Sequence, residues 1–525
     1  MPLLPLLCAA ALGAPAPLDP AAVAGLAAEA TEEKLEAIRA LAQAGDPRAG
    51  PVLQALVDGR LQAGGGQVLV EQDGALRDAS SGAAVATPPA GAAQVVAPNR
   101  VRRAAAAALS TLRAFDPDPA VRLAAARDLA RAAGPEQAPL LRRAIAQEQD
   151  GRVAAQLKVA LGRASLRSAD PAERRAAAEA LGEASAADAR TLLAQASDPA
   201  TEADPTVRAA AAGALVRVDR RLAIGEAVNQ LFSGLSLGSV LLLAALGLAI
   251  TYGVMGVINM AHGELLMVGA YSAYAVQAAF RAWLPGLEGL YVLAAMPVAF
   301  GAAFLAGVVM ERLVIRHLYR RPLESLLATF GLSLVMIQGA RGLFGAQNVQ
   351  VANPGWMSGA AEPWGNVVLP WNRLAVIAFA LGVLLVTWLL LSRTRLGLQV
   401  RAVTQNRAMA GCLGVPTGRV DTLAFGLGAG IAGLGGLALS QLGNVGPDMG
   451  QGYIVDSFVV VVLGGVGQLA GAVVAALGLG AASKLLEGWS GAVIAKILVL
   501  VFVVVFIQKR PQGLFAPRGR FVQEA

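Results

Sequence analysis

The chain has 525 residues, of which 56% are hydrophobic and only 15% are charged. An ordinary soluble domain carries about 25% charged residues, so this composition excludes a purely soluble protein. The net charge of +7 comes almost entirely from arginine. In a chain with long apolar runs it indicates cytoplasmic loops rather than a surface for nucleic acid.

Residues 1–17 form a short apolar start that contains small residues, which is typical of a secretory signal peptide. No Lys or Arg directly follows Met1, and Pro15 and Pro17 lie where cleavage is expected. A plain N-terminal tail is therefore the alternative interpretation.

Residues 18–221 are rich in Ala and Arg and predict a soluble helical-repeat domain. In its weak repeat, an Asp-Pro pair, which favours a helix start, is followed by an Arg. The copies lie at 118–122, 170–174 and 204–208. The apolar stripe behind each start needs a neighbouring helix pair, as in HEAT-type repeats that stack into a solenoid. Such a domain binds other proteins or acts as a spacer.

Residues 59–98 interrupt this pattern with a loop-rich insertion. Turn-forming residues flank a short alternating run, which predicts a small hairpin. The residues concerned are Gly64-Gly65-Gly66, Val68-Leu69-Val70, Asp73-Gly74 and Pro88-Pro89.

From residue 228 the chain becomes a succession of apolar runs, and about 20 such residues suffice to cross a bilayer. A glycine-interrupted run predicts a half-helix over 454–463 followed by a second helix over 469–486. We therefore assign an all-α fold: a polytopic membrane bundle with broken helices over 228–518, preceded by the repeat domain. The other predicted spans are 231–252, 265–283, 290–310, 323–342, 374–391, 421–441 and 493–507.

The basic loops predict the orientation of the spans. Residues 311–322, residues 392–420 and the tail after Gln508 are rich in Arg or Lys, which places them in the cytoplasm. Counting spans back from these loops puts the repeat domain in the periplasm. Arg217, Arg220 and Arg221 argue against this, although a long translocated domain with its own signal can override such charges.

Two elements break the helical pattern at membrane depth, one at 256–264 and the other at 463–468. Polar residues and glycine survive there only where they line a cavity or pack against protein, and transporters build solute sites from such broken helices. These residues are candidates for the translocation path or its gate. The alternative is a structural role, in which they stabilise the packing of one helix against another. They are Asn259, His262, Glu264, Gly464, Gly465 and Gly467.

The sequence contains no pattern that is typical of an enzyme active site. His262 and His317 are the only histidines, and the sequence contains no metal-ligand cluster, nucleophile elbow or phosphate-binding loop. We expect no cofactor in this chain, no metal and no hydrolysis of ATP by it. A secondary transporter would be expected to carry more ionisable residues inside its spans.

Several motifs follow one another between about residues 228 and 518: GLSLGS at 234–239, YGVMGVINMAHGE at 252–264, RLG at 395–397, GV at 414–415, VLGGVGQLAGA at 462–472 and RPQGLF at 510–515. This ordered set closely resembles the branched-chain amino acid permeases of ABC importers. One departure is Gln468, where the family often has Ser. The long N-terminal extension resembles that of the urea permeases within this family.

This resemblance implies a multi-pass subunit of a bacterial inner membrane importer for a small polar solute, with urea expected. It also implies a second homologous permease, two ATPase subunits that use ATP, and a periplasmic solute-binding protein. Membrane lipid surrounds the bundle, and no nucleic acid is involved. A branched-chain amino acid or short amide permease is the alternative, followed by a membrane-anchored scaffold or receptor that works through the repeat domain.

The segment RAVTQNRAMAGCLGV at 401–415 predicts a helix of about three turns on the cytoplasmic side, ended by glycine. In the family that the chain resembles, the matching loop is the coupling helix that fits a groove on the ATPase. Anchoring to anionic headgroups is the alternative. We expect Ala410 to lie in the close-packed groove. The residues assigned to this loop are Arg401, Gln405, Asn406, Ala410, Gly411 and Gly414.

Overall fold

The computed structural model describes residues 18–515 apart from 47, 73–74, 86–88, 90–91, 185–186, 320 and 364–365. The predicted signal peptide and the predicted turn at Asp73-Gly74 lie outside the described residues. The chain divides into two compact units, Met1–Ala223 and Ile224–Ala525.

Short amphipathic helices make up most of the first unit. Asp118, Asp150 and Asp170 each accept a hydrogen bond from the backbone N–H two residues later, which caps the helix that follows. The helices are α1 Pro20–Gly25, α2 Thr31–Ala44, α3 Ala49–Asp58, α4 Asn99–Arg113, α5 Pro119–Ala132, α6 Ala138–Gln147, α7 Gly151–Ser165, α8 Pro171–Leu181, α9 Ala187–Ser197 and the start of α10 Pro205–Met255.

The Arg of two repeat copies makes the same set of contacts. Arg122 pairs with Glu148 at 2.7 Å, and its Nη1 donates to the carbonyls of residues 116 and 117. Arg174 pairs with Glu202 at 2.8 Å and donates likewise to residues 168 and 169. Hydrogen bonds from these guanidinium groups lower the pKa of both glutamates. The repeated units are thus structurally equivalent, and their assignment to the HEAT class stays a prediction.

The insertion is larger than the predicted hairpin, and the all-α assignment is therefore incomplete. It forms a five-stranded antiparallel sheet with the order β4-β3-β2-β1-β5. The outer strands are very short and carry no apolar alternation, so only the central hairpin is evident in the sequence. The strands are β1 Leu61–Gly64, β2 Gln67–Gln72, β3 Ala75–Asp78, β4 Ala84–Val85 and β5 Ala93–Gln94.

The second unit is a bundle of long apolar helices. Among the described residues, seven helices are long and apolar enough to cross a membrane: α10, α12, α13, α14, α17, α19 and α20. A minor strand pair, β6 Ala360–Ala361 and β7 Leu369–Pro370, lies before α14. The helices after α10 are α11 His262–Trp283, α12 Tyr291–Leu313, α13 Pro322–Phe344, α14 Trp371–Arg393, α15 Arg395–Gln405, α16 Arg407–Cys412, α17 Thr417–Ser440, α18 Met449–Gly464, α19 Leu469–Ser490 and α20 Ala492–Lys509.

Every predicted span falls on one of these helices. Two of the helices that carry predicted spans are not among the seven long apolar helices. Helix α11 carries the polar residues His262, Glu264, Gln277 and Arg281, and α18 has only 16 residues. Both are helices that begin or end at a predicted break. The sequence therefore predicted the polytopic helical bundle correctly.

Helix α17 lies at the centre of this bundle and packs through its glycines. A Cβ placed on Gly428 would lie 2.6 Å from the carbonyl oxygen of Gly247 in α10. A Cβ on Gly433 would lie 2.6 Å from the carbonyl oxygen of Ala299 in α12. Only glycine permits such close approach of two helix backbones.

Candidate functional site

The first break separates α10 from α11. Gly256 ends α10 with a φ of 64°, a left-handed conformation that glycine adopts without strain. The irregular segment that follows is held by hydrogen bonds: Asn259 Oδ1 accepts from the N–H of Ala261 at 3.0 Å, and Thr329 Oγ1 of α13 accepts from the N–H of Met260 at 3.2 Å. The backbone freed by the break is thus partly satisfied from within the bundle.

The three polar residues of this break are all buried. Asn259, His262 and Glu264 are each no more than 1% exposed. His262 Nε2 lies 2.9 Å from the carbonyl oxygen of Ala244, which can only accept, so Nε2 carries the proton of a neutral ring. His262 Nδ1 then remains an acceptor without a partner among the described residues, and Asn259 Nδ2 a donor without one. Both carboxyl oxygens of Glu264 are buried as well, without a hydrogen bond of normal geometry among the described residues.

The second break, between α18 and α19, contacts protein backbone on several sides. Leu514 N–H donates to the carbonyl of Leu463 at 2.8 Å, so the C-terminal segment caps the end of α18. A Cβ on Gly465 would collide with the carbonyl oxygen of Phe515, and one on Gly464 would lie 2.5 Å from the carbonyl carbon of Gly471. Gly467 faces Gly253 of α10. Gly464, Gly465 and Gly467 therefore pack the break tightly against its neighbours, and their role as path or gate stays a prediction.

The loop predicted to form one helix contains two. Helix α15 ends at Gln405, and Asn406 adopts an extended conformation with φ −156° and ψ 99°. Its side chain then caps α16 by accepting from the N–H of Met409 at 2.9 Å. The single-helix prediction was wrong because Asn406 competes for the backbone and starts a new helix. Gly411 lies inside α16, and Gly414, with a φ of 82°, follows its end.

The exposed face of this loop differs from the predicted one. Ala410 is only 4% exposed and packs with Val400, Val403 and Val420 inside this unit. Met409 of α16 and Leu413, which directly follows its last residue, are 58% and 78% exposed. Arg401, Gln405, Asn406, Gly411 and Gly414 are also exposed. The sequence reasoning missed Met409 and Leu413, although two large apolar residues four positions apart share one helix face.

A polar cavity of about 350 Å³ opens where α10, α14 and α19 approach each other. The cavity contains side chains of both charges together with amides and a hydroxyl group, which suits a small polar solute. Its lining residues are Glu226, Asn229, Gln230, Ser233, Arg373, Lys484, Glu487 and Gly488.

Residues 230–508 match the family model described as branched-chain amino acid transport system / permease component. The chain belongs to this permease family. The match begins inside α10 and includes both breaks and the α15–α16 loop. The permease unit is therefore the bundle itself, and the family model does not extend over the repeat domain.

The curated relatives of this permease are transport proteins. The branched-chain amino acid permease protein LivH of Salmonella typhimurium is 28% identical over 295 residues, covering 55% of this chain and 94% of the relative. BraD of Pseudomonas aeruginosa is 28% identical over 297 residues, covering 55% and 95%. The ribose import permease RbsC of Escherichia coli is 28% identical over 264 residues, covering 48% and 76%. No solved structure matches the chain. The chain is thus a transport subunit rather than an enzyme.

Proposed function

We propose that this chain is the membrane-spanning permease subunit of an ATP-driven importer of urea. The observation that carries the transport of a small polar solute is the first break. There the bundle buries a donor, Asn259 Nδ2, and an acceptor, His262 Nδ1, that have no partner among the described residues. Buried polar atoms of this kind cost free energy unless they serve a ligand or water.

The choice of urea rests on the long extension before the permease domain, in which this chain resembles the urea permeases. Urea is small and neutral, and its C=O and N–H groups can complement the donor and the acceptor that the first break leaves unpartnered. A branched-chain amino acid is the second candidate. It is favoured by the names of relatives such as LivH and BraD, whose matches cover 55% of this chain.

The partners follow from the same proposal. A second homologous permease completes the membrane unit, and two ATPase subunits supply the energy from the cytoplasmic side. A periplasmic solute-binding protein delivers the solute to the outer face, where the polar cavity lies. The repeat domain lies in the periplasm in this arrangement.

The ATPase contact is assigned to the exposed face of α16. Met409 and Leu413 present apolar surface on a short helix, which suits insertion into a groove of a soluble partner. Neighbouring arginines suit headgroup binding instead, but they leave the two apolar side chains unexplained.

Uptake of labelled urea and labelled leucine tests the substrate, in cells with and without this chain. We expect urea uptake to fall at least tenfold in its absence, and a hundredfold excess of unlabelled leucine to leave urea uptake unchanged. Loss of leucine uptake with normal urea uptake would assign the chain to the amino acid instead. Normal uptake of both solutes would refute the proposed transport of either.

A further inference from the structure

Two carboxylates are fully buried where α12 ends and α17 begins. Glu311 and Asp421 both have 0% of their side-chain surface exposed. Burying a charge is costly unless it is paired and hydrogen-bonded. Neither acid belongs to the two breaks or to the residues assigned to the ATPase loop. Their role is therefore inferred from the residues that they contact.

Glu311 is held by groups from two directions. Thr422 Oγ1 donates to its Oε2 at 2.7 Å, and the Tyr319 hydroxyl donates to its Oε1 at 3.1 Å. Arg316 lies 3.5 Å from the same carboxylate. Burial, with the negative charges of Asp421 and Glu311 adding, raises the pKa of Tyr319. Its hydroxyl group therefore stays a donor at neutral pH.

Asp421 is held by the first residue of α16. Arg407 forms two hydrogen bonds with it, one from Nη1 to Oδ1 at 3.2 Å and the other from Nη2 to Oδ2. The same guanidinium group lies over the Tyr319 ring, 5.1 Å from its centroid, at a distance that allows a cation–π contact. Arg407 thus joins α16 to α17 and to the turn after α12.

The group of Glu311, Arg316, Tyr319, Arg407, Asp421 and Thr422, here called the loop cluster, also contacts the first break. The Tyr319 hydroxyl lies 3.3 Å from Sδ of Met255, the last residue of α10 before Gly256. Its single proton can serve either Met255 or Glu311, but not both. One side chain therefore has two alternative partners, one at the break and one in the cluster.

A second connection runs along α17. Gly428 lies seven residues after Asp421, about 10 Å along the helix axis. There it packs against Gly247 of α10, and a Cβ on Gly247 would lie 3.1 Å from Cε1 of His262. A displacement of Asp421 along α17 would thus reach the neighbourhood of His262 through close backbone contacts.

We propose that Arg407 is a positioning residue that transmits movement of α16, through Asp421 and Tyr319, to the polar break at Asn259 and His262. The proposal rests on the proposed function, because it assumes that α16 receives the ATPase movement. It deepens that function by naming the contacts inside this chain that carry it.

A thiol reporter tests this link without reference to the solute. In the complete complex, Cys8→Ser and Cys412→Ser remove the native thiols, and Thr251→Cys provides a thiol buried between α10 and α17, where Thr251 is 1% exposed. We expect addition of a non-hydrolysable ATP analogue to change its labelling rate at least fivefold. In the added presence of Asp421→Asn the change should shrink to less than twofold, while the ATPase subunits still co-purify.

Arg407→Lys and Arg419→Gln complete the test. Lys keeps the charge but not the two-pronged contact, so we expect a response intermediate between the wild type and Asp421→Asn. Arg419 is exposed in the first turn of α17, so Arg419→Gln should keep the full response. If Asp421→Asn fails to assemble, the result with Arg407→Lys decides the question. An undiminished response in the cluster variants, or no nucleotide response in the parent, would overturn the inference, whereas a wrong substrate would affect only uptake.

Discussion

Replacing Leu413 by Ala should weaken binding of the ATPase subunit without weakening the permease itself. The substitution removes three carbon atoms, each worth about 0.8 kcal/mol when buried. Because Leu413 is 78% exposed in the free chain, most of that apolar surface is available to a partner. The expected loss of binding free energy is therefore about 2 kcal/mol, which corresponds to about a 30-fold rise in Kd.

The assay is a titration of purified ATPase subunit against the permease in lipid nanodiscs. Leu287→Ala is the matched control, since Leu287 is 49% exposed and lies before α12, at the opposite end of that helix from the loop cluster. The unfolding temperature should stay the same in both variants, because neither residue is packed in the free chain. An unchanged Kd for Leu413→Ala would refute the docking face and restore the headgroup interpretation.

Three further predictions concern the breaks and the repeat domain. His262→Leu should lower solute uptake at least tenfold while the complex still assembles. Ser272→Ala, elsewhere on α11, should leave uptake unchanged. Loss of assembly in His262→Leu would favour a structural role for this residue. Gly465→Val should prevent the C-terminal segment from capping α18, because φ at this position is 101° and a Cβ would strike the Phe515 carbonyl. The released segment should then be cleaved more rapidly by protease after Lys509, whereas Gly478→Ala should show no such increase. Glu148 and Glu202 have pKa values below the ordinary 4.5, so they stabilise the fold above that value and lose this contribution as pH falls through their folded pKa. Hydrogen-exchange protection factors in α5–α9 should therefore fall below about pH 4.5, and unchanged protection factors down to pH 3 would contradict it.

Helix pattern and span length predicted the membrane bundle well, because each apolar run had to satisfy its own backbone in lipid. The glycine at 256 and the glycines at 464–467 likewise marked the helix ends, since few other residues adopt those backbone angles. Asp-Pro pairs marked helix starts at Asp118 and Asp170, where the side chain caps the following turn.

What the sequence could not provide was the set of neighbours of each side chain. Ala410 lies in α16 and Leu413 directly follows this helix, and only packing against Val403 and Val420 distinguishes the buried residue from the exposed one. The loop cluster was missed for the same reason. Its members come from three separate segments, and an Arg in a basic loop is indistinguishable by pattern from one that pairs with a buried acid.

The packing of α17 explains how a movement at one end of the bundle can affect the structure at the other end. Its glycines bring its backbone against α10 at Gly247, α11 at Leu266 and α12 at Ala299. At these three glycines the contacts are made by backbone atoms, so a displacement there cannot be absorbed by side-chain rotation, because close-packed interiors transmit strain rather than deform. Movement applied at Asp421 must then either shift α17 as a body or be resisted by it. Such an all-or-none response is what a transporter needs in order to keep its polar break closed on one side while it opens on the other.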